Sequence, residues 1–537
     1  MKYNLPARRA LASFALAAIL MASGVGASSL PLPSSEATSS ITAPDLKKHL
    51  SFLASDELGG RYTLSASNLI AARYLASQLE SYGYKGAARG GSFFQRVPLS
   101  YRKVDAVHSR VTLDAGGNRQ EFKFPDDFIN DKPANIDGSG GLVFAGYGIS
   151  SPKNKYDDYA GLDVKGKIVV VLDGMPETLS NVRLSQEEKD SPAAISHGAV
   201  GVIIVPVSET LMTWDQYKIY MMGPEDLGLP PHENAAGRPL PIITAGPNLV
   251  KALAKAMGKD SSYLMNSPGK QVEPMAIAAT AEIKMKVDVK DAALAQNVVG
   301  ILEGSDPKLK DEYVVLSAHY DHLKTGDRGE VYNGADDDGS GTVSVLELAQ
   351  AFAMRPHSKR SILVVFHTGE ELGLFGSEYN TDYDPVVPLA KLVADFNIDM
   401  IGRSRPDGDT DPRDRELTDK NTLYVIGADK LSSELNKISE QTNAETGRLN
   451  FDYTYNDERH PQRFYYRSDH YNYAKHGIPI IFYFTGVHRD YHKPTDDVDK
   501  IDFEKMERIS RLIFATCWRV ANLDHRVIVD KKAQVVQ

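Results

Sequence analysis

The sequence predicts an α/β protein in which a mixed, mostly parallel sheet is flanked by helices and a β-rich domain is inserted. Two observations lead to this prediction. After residue 281, continuous Val/Ile/Leu segments such as "YVVLSAHY" and "SILVVFHT" alternate with helical stretches, as in parallel sheets that are covered on both faces. Between residues 105 and 275, short β-rich runs such as "GKIVVVLDG" are separated by Gly, Pro and Asp instead.

The first 27 residues have the layout of a secretory signal peptide. The basic start "MKYNLPARR" precedes the apolar run "ALASFALAAILMA" and the small residues "SGVGA", with cleavage expected after Ala27. The apolar run is shorter than the ~20 residues of a spanning helix, and the segment has no cysteine that could carry a lipid anchor. We therefore expect an exported protein, periplasmic or secreted, without a membrane span.

The remaining chain divides into a leader, one discontinuous domain and an insertion. Residues 28–40 are rich in Ser and Pro, which predicts a flexible leader. The main domain is expected at 41–104 and 276–525, with the insertion at 105–275 and a C-terminal tail at 526–537. With 537 residues, the chain is long enough for two such units, each with its own core.

Periodicity distinguishes the helices and strands of the main domain. A helix is predicted between residues 45 and 82, where apolar residues recur at three- and four-residue steps, namely Leu69, Ala72, Leu75 and Leu79. The segment "AEIKMKVDV" alternates apolar and polar residues, which predicts a half-exposed strand. The clearest later helix is "TVSVLELAQAFA", whose Val345, Leu348 and Phe352 share a face.

Composition restricts the partners and the possible metal ligands. Removal of the signal peptide takes away Lys2, Arg8 and Arg9 and changes the formal net charge from −10 to −13. Such a charge disfavours nucleic acid and anionic membranes as partners. The single cysteine, Cys517, excludes an intrachain disulfide and a thiolate zinc site. Any metal ion must therefore be bound by His, Asp and Glu.

Residues that can bind metals follow successive predicted strands. The segments that carry them are "YVVLSAHYDH", the glycine-rich loop "VYNGADDDGSG", "SILVVFHTGEE", "LVADFNIDM" and "VHRDYHKPTDD". In chain order these candidates are His319, Asp321, Asp336, Asp337, Asp338, Glu370, Glu371, Asp399, His488 and His492. The active sites of such sheets lie at the carboxyl ends of the strands, so these side chains are expected at one edge.

The occurrence of these candidate ligands after successive strands is more informative than any one of the residues. A lone histidine at a strand end is usually hydrogen-bonded and structural, and three aspartates beside glycines usually form a solvated turn. So many carboxylates at one edge would repel one another and have raised pKa values unless cations compensated them. Zinc accepts both imidazole nitrogen and carboxylate oxygen, and two zinc ions ~3.5–4 Å apart form a hydrolytic site.

These motifs closely resemble those of the M28 family of zinc peptidases, in particular its secreted bacterial aminopeptidases. The resemblance covers "SAHYDH", "GADDDGSG", "GEELGLFGS", "NIDM", "RSDH" and "YHKPTDDVDKI", which occur in the family's order over most of 281–510. It implies a zinc exopeptidase fold for the mixed sheet. On weaker motifs, residues 105–275 resemble the protease-associated (PA) domain that is often inserted in these enzymes.

The resemblance also implies two zinc ions per chain and five ligands. His319 and Asp399 would bind one ion, and Glu371 and His492 would bind the other. Asp337, the middle residue of the triple aspartate, would bridge both ions. A cis peptide bond is expected after this bridging residue.

Other residues are assigned catalytic or supporting roles by the same resemblance. Glu370 would be the general base, and Asp321 would accept a hydrogen bond from the second ring nitrogen of His319. An oxyanion-stabilising tyrosine is also expected, for which Tyr465 is preferred and Tyr491 is the alternative.

Four histidines near the motifs could be either metal ligands or structural residues. His488 competes with His492 as a ligand, but "HKPTD" fits the family pattern and "HRDYH" does not. His470 and His322 are interpreted as structural residues or as residues at the rim of the site.

The resemblance implies a metallo-aminopeptidase that removes N-terminal residues from peptides with a free N-terminus. Hydroxide shared by two zinc ions would attack the carbonyl, and Glu370 would pass its proton to the leaving amine. Carboxypeptidase or dipeptidase action is an alternative within hydrolysis. A glutaminyl cyclase-like acyltransferase with a single zinc ion, or a binding relative without catalysis, is disfavoured because the ligand set is complete.

Overall fold

The computed structural model describes residues 30–532, except 131–132, 181, 183, 185–187, 207–212, 222–225, 231–239, 266–268, 293, 327 and 458–459. The predicted signal peptide and the first two residues of the predicted leader lie outside the described residues. The same holds for the end of the predicted tail, residues 533–537.

Strands occur in both predicted units, and most of them belong to two large sheets. In chain order, the strands of the described residues are β1 (Lys85–Gly86), β2 (Phe94–Val97), β3 (Ser100–Val104), β4 (Arg110–Ala115), β5 (Asn118–Lys123), β6 (Phe128–Ile129), β7 (Ile136–Phe144), β8 (Ser150–Ser151), β9 (Tyr156–Asp157), β10 (Ile168–Leu172), β11 (Gly201–Val205), β12 (Asp226–Gly228), β13 (Ile242–Ala245), β14 (Met275–Met285), β15 (Val287–Asp291), β16 (Ala295–Leu302), β17 (Tyr313–His319), β18 (Ser361–His367), β19 (Leu392–Ile398), β20 (Thr422–Ile426), β21 (Asn450–Asp452) and β22 (Ile480–Phe484).

Several α-helices begin where the sequence supplies a capping side chain. The helices of the described residues are α1 (Ser35–Ser39), α2 (Ala43–Leu53), α3 (Ala66–Ser81), α4 (Asp190–Ser196), α5 (Trp214–Met221), α6 (Pro247–Ala256), α7 (Ser262–Met265), α8 (Gly341–Ala353), α9 (Phe375–Glu378), α10 (Ser433–Glu445), α11 (His470–Ala474) and α12 (Phe503–Ala521). The side chains of Thr42, Ser65, Ser432 and Asp502 accept the N–H of the residue three positions later, at the starts of α2, α3, α10 and α12. Each cap satisfies a backbone N–H that has no partner within the helix.

The first sheet contains nine strands of the described chain, in the order β1-β16-β18-β17-β19-β22-β20-β21, with β2 also paired to β16. Its centre, β18-β17-β19-β22, is parallel throughout, and antiparallel strands flank it on both sides. The sheet is therefore mixed with a parallel centre, which confirms the predicted fold class.

Helices cover both faces of this first sheet. On β17, Val314 and Leu316 join the core formed with α2, α3, α8 and α12, whereas Val315 joins the core on the opposite face. Strands that are buried on both faces explain why the sequence shows continuous apolar runs. Helix α8 is buried almost all round, because α2 and α12 cover the side that does not contact the sheet.

The second sheet has eight strands among the described residues, in the order β5-β4-β14-β7-β10-β11-β13-β6. Its central strands β7, β10, β11 and β13 are parallel. It has its own hydrophobic core, to which Phe144, Val170, Ile203 and Leu253 contribute. The insertion is thus a separately packed unit.

The end of the insertion differs from the predicted boundary at residue 275. Strand β14 pairs with β4 and β7 and so belongs to the second sheet. The next strand, β15, pairs with β3 in a small sheet that also includes β12. The alternation in "AEIKMKVDV" indicates half-exposed strands, but it does not specify which sheet they join.

The predicted leader is also more ordered than expected. Helix α1 begins after Ser34, whose hydroxyl caps it, and its Ala37 is buried. This helix contacts α12, so the packed structure begins before residue 41. Within the described part of the chain, no helix has both the length and the apolar character that a membrane crossing requires.

Candidate metal centre

The candidate residues follow the four parallel strands at the centre of the first sheet. His319 ends β17, Glu370 and Glu371 follow the end of β18, and Asp399 follows β19 directly. His492 lies in the loop after β22. Since these strands are neighbours and run in the same direction, their carboxyl ends bring the side chains to one edge.

The first group of side chains surrounds His319. Its Nε2 atom lies 3.3 Å from Asp337 Oδ1, 3.7 Å from Asp399 Oδ1 and 3.8 Å from Glu370 Oε2. One imidazole nitrogen therefore faces three carboxylates, and all four side chains are largely buried.

The second group surrounds Glu371. His492 Nε2 lies 3.0 Å from Glu371 Oε2 and 3.1 Å from Asp337 Oδ2. Asp337 thus presents Oδ1 to the first group and Oδ2 to the second. The structure brings all five predicted ligands together and gives the predicted bridging residue the central position.

The loop that carries Asp337 is fixed from several sides. The peptide bond between Asp337 and Asp338 is cis, as predicted. Asp338 accepts hydrogen bonds from the N–H groups of His319, Gly341 and Met400, so it connects three segments of the site. The outer aspartates of the triplet therefore hold the loop and leave the middle one to face the two groups.

Asp496 anchors the same loop from a distant part of the sequence. Its Oδ2 accepts the backbone N–H groups of both Asp336 and Asp337, at 3.0 and 3.1 Å. Asp336 in turn lies 3.2 Å from His488 Nε2. His488 is therefore placed behind the loop, paired with Asp336, and the choice of His492 over His488 agrees with the geometry.

Asp321 lies at the site but with partners other than the predicted one. The Nδ1 atom of His319 is 3.3 Å from the main-chain oxygen of Asp321 and 3.6 Å from its carboxylate. The carboxylate instead accepts hydrogen bonds from the Thr63 hydroxyl, at 2.8 Å, and from the N–H of Glu370, at 3.2 Å. Its position thus orients Glu370, while a backbone carbonyl fixes the tautomer of His319.

Sequence reasoning missed a serine that supports Asp399. The Ser468 hydroxyl donates to Asp399 Oδ2 at 2.7 Å and accepts from the Asn397 amide at 3.0 Å. Such contacts orient ligand carboxylates. "RSDH" was noted as a motif, but nothing in its spacing indicates which strand end its serine contacts.

His322 also differs from its predicted role as a structural or rim residue. Its ring is completely buried, and Nδ1 lies 2.8 Å from Glu371 Oε1 and 3.8 Å from Asp337 Oδ2. Gly334, at a φ of +55°, packs against this ring, and a Cβ there would lie 2.5 Å from it. His322 therefore belongs to the second group of side chains, together with Asp337 and Glu371. His470, by contrast, is buried against Phe482 and the Tyr465 carbonyl, which agrees with a structural role.

The two candidate tyrosines are clearly separated by the structure. Tyr465 is buried among aromatic side chains, and it is not among the described residues that line the cavity at the site. Tyr491 lines that cavity and stacks on the His492 ring with 3.8 Å between centroids. The preference for Tyr465 is thus not supported by its position, because the ring faces the core and not the ligands.

Charge and burial strongly perturb the titration of this cluster. Burial is the largest influence on Glu370 and raises its pKa well above the ordinary value, although His319 opposes the rise. Burial also disfavours the charged form of Asp337, but its contacts with His319 and His492 hold the pKa well below the ordinary value. For His492, burial lowers the pKa, but the nearby carboxylates of Asp337 and Glu371 outweigh this effect and raise the pKa to about 10.

The donor atoms of the second group fit a metal ion better than they fit one another. Although they lie within ion-pair distance, the buried atoms His322 Nδ1, Asp337 Oδ2, Glu371 Oε1 and His492 Nε2 are not aligned as hydrogen bonds to any described residue. Such unpaired atoms cost ~1–3 kcal/mol each. Imidazole nitrogens and carboxylate oxygens form a ligand set that zinc accepts, so the residues fit the expected ions.

The described residues thus contain two groups of side chains that could each hold a metal ion, at one edge of the first sheet. Residues 297–517 match Peptidase family M28, and this range contains all five predicted ligands. The match lies within the part of the chain that forms the first sheet, where the sequence motifs resemble that family.

Two curated relatives share between a quarter and a third of their residues with the matching part of this chain. Aminopeptidase YwaD of Bacillus subtilis (strain 168) is 25% identical over 269 residues, which are 49% of this chain and 53% of the relative. A probable zinc metalloprotease of Pyrenophora tritici-repentis (strain Pt-1C-BFP) is 29% identical over 254 residues, 42% of this chain and 56% of the relative. The chain thus spans about half the length of the curated relatives it matches.

Among solved structures, an aminopeptidase from Aneurinibacillus sp. strain AM-1 is 20% identical to this chain. The alignment covers 93% of this chain and 98% of the other, with a TM-score of 0.47.

Proposed function

We propose that this protein is an exported aminopeptidase that binds two zinc ions and hydrolyses the N-terminal peptide bond of peptides. The observation that carries the proposal is the position of Asp337, whose two carboxylate oxygens face two separate groups of ligands. His319 and Asp399 would bind one ion, and Glu371 and His492 the other. The M28 match and the names of the relatives support peptide hydrolysis.

Zinc ions, when bound here, supply Lewis-acid chemistry, since they polarise a carbonyl oxygen and lower the pKa of water. The protein supplies the proton transfers. Glu370 faces the first group of ligands, and the N–H of Glu370 is held by Asp321. Its carboxylate would take a proton from the attacking water and release it to the leaving amine.

Tyr491 is the residue that we assign to the carbonyl oxygen of the substrate. Burial and the carboxylates of Asp337 and Glu371 raise its pKa far above the ordinary value, so the hydroxyl keeps its proton. A protonated hydroxyl on the cavity wall can donate a hydrogen bond to the oxygen on which negative charge develops.

Export is proposed from the N-terminal sequence, with the predicted signal peptide as its basis. A PA-like insertion is proposed from its motifs. None of the five ligands lies within it, so we place its role in access to the site or in stability.

A substrate panel tests this function. Purified protein should hydrolyse aminoacyl 4-nitroanilides, lose activity with a chelator and regain it with zinc. N-acetylated versions of the same substrates should not react, because a free amino group is required. Elemental analysis should give about two zinc ions per chain. Protein with a single ion and cyclase activity on N-terminal glutamine would instead support an acyltransferase.

A further inference from the structure

The cavity beside the metal ligands combines an apolar wall with one cationic side chain. Phe464, Phe482, Phe484, Val487 and Met400 line it together with Tyr491 and four residues of the candidate site. The remaining lining residues are Ser468, which holds Asp399, and Arg467. The function of Arg467 is not explained by the metal ligands or by the general base.

Arg467 is exposed, but the structure holds its guanidinium in place. The group lies 4.7 Å from the centroid of the Phe464 ring, and the backbone N–H of Arg467 donates to the Phe464 carbonyl at 3.1 Å. Stacking on a ring occupies the face of a guanidinium and leaves its edge N–H groups free to donate. The side chain is therefore preorganised without being neutralised.

The guanidinium has no carboxylate within ion-pair distance in the described part of the chain. This differs from Arg403 nearby, which is paired with Asp490 at 2.8 Å. It is also unexpected in a chain with 71 acidic and 61 basic residues.

We propose that Arg467 binds a carboxylate of the substrate and so selects peptides that carry one close to the scissile bond. This inference rests on the proposed peptidase function. A guanidinium edge forms paired hydrogen bonds with a carboxylate, and it repels cationic side chains. The carboxylate can come from an acidic side chain at the N-terminal residue or from the C-terminus of a dipeptide.

Two substrate pairs distinguish these sources. Leucyl-glycine and leucyl-glycinamide differ only in the main-chain carboxylate, whereas glutamyl and glutaminyl 4-nitroanilide differ only in the side chain. Wild-type protein should prefer the carboxylate member of one pair. Arg467→Gln should lower kcat/KM for that member about 10–100-fold, mainly through KM, and change its neutral counterpart less than about threefold. Arg467→Lys should recover part of the loss.

Arg463→Gln is the matched control. Its guanidinium also stacks on an aromatic ring, 4.6 Å from the Tyr466 centroid, but Arg463 is not among the described residues that line the cavity. This variant should keep the wild-type selectivity in both pairs. Arg467→Glu should reverse the preference, since it places a negative charge at the same position.

The inference is overturned if wild type and Arg467→Gln show the same selectivity in both pairs. It is also overturned if Arg467→Gln lowers kcat/KM equally for the charged and the neutral members. Both results differ from failure of the proposed function, in which wild-type protein would hydrolyse none of the four substrates.

Discussion

The two sheets of this protein share a parallel centre, but they bury charge in different ways. In the unit built on the second sheet, the buried carboxylate of Asp158, which follows β9, is fully paired: Oδ2 accepts the N–H groups of Tyr147 and Ile149, and Oδ1 accepts the Tyr156 hydroxyl. At the edge of the first sheet, buried atoms of His322, Asp337, Glu371 and His492 are not aligned with any partner among the described residues.

This difference shows that a sheet edge alone does not define a site. Parallel strands end together in both sheets, yet within the described residues the groups of side chains that could hold a metal ion lie at the edge of the first sheet alone. A buried charge whose atoms are all hydrogen-bonded stabilises a fold, whereas buried donor atoms that converge without aligned hydrogen bonds fit a ligand. Substitutions of the converging side chains at the first sheet, and of the paired charges in the unit of the second sheet, test this difference.

The largest effect is expected at the two adjacent glutamates. Glu370→Gln cannot accept a proton, so it should lose ~10²–10⁴-fold in kcat and keep its zinc and thermal stability. Glu371→Ala removes an oxygen of the second group, so it should lose zinc as well as activity. Zinc content measured beside kcat separates the two variants. The assignment would be reversed if Glu370→Gln lost its metal and Glu371→Ala retained both ions.

A smaller effect is expected at His322. Since its Nδ1 lies 2.8 Å from Glu371 Oε1, His322→Ala should weaken binding of one zinc ion ~10–100-fold and leave the other unchanged. Competition with a chromophoric chelator measures both affinities. His476→Gln, at a partly exposed histidine that pairs with Asp382, is the control and should match the wild type. Two unchanged affinities in His322→Ala would show that the ring only fills space.

In the unit built on the second sheet, the buried charge of Asp158 should matter for stability and not for metal binding. Asp158→Asn turns an acceptor of three hydrogen bonds into a group that also donates, which should cost ~1–3 kcal/mol in the unfolding of the insertion. Zinc content and kcat on aminoacyl 4-nitroanilides should not change. Thermal unfolding and zinc content, measured on the same variant, test this prediction. Loss of zinc would contradict the expectation that Asp158 affects stability and not metal binding.

The smallest effect is expected at an exposed pair of the second sheet. Arg119 contacts Glu282 at 3.2 Å across the β5, β4 and β14 strands, with much of the arginine exposed. Arg119→Gln should change the free energy of unfolding by less than ~1 kcal/mol, because water screens such pairs. Urea unfolding measures the change. If Arg119→Gln lowered the free energy of unfolding as much as Asp158→Asn, the exposed pair would contribute as much to stability as the buried carboxylate.

The sequence predicted those parts of the site that depend on chain order alone. Three of the ligands lie at or just after the ends of apolar strands, so His319, Glu371 and Asp399 could be placed at one edge without coordinates. The middle position of Asp337 and the cis bond after it came from the family resemblance, and the structure has both arrangements.

Features that depend on tertiary register could not be predicted. Whether β14 joins the first or the second sheet depends on its partners and not on its alternation. The contact of Ser468 with Asp399 could not be predicted either, because the two residues are 69 positions apart and meet only in the folded chain. Tyr465 and Tyr491 have equally plausible spacings from the motifs, and only the packing of their rings separates them.

The contact between Asp496 and the triple aspartate has a consequence for the timing of activity. The carboxylate holds the backbone of Asp336 and Asp337 from 160 and 159 residues further along the chain, beside the ligand His492. A ribosome must therefore synthesise the chain through Asp496 before this loop has its anchor. During synthesis the growing chain carries His319, Glu370 and Asp399 but lacks the last support of the loop. We expect the newly synthesised protein to have no peptidase activity until the segment that carries Asp496 packs against the triple aspartate.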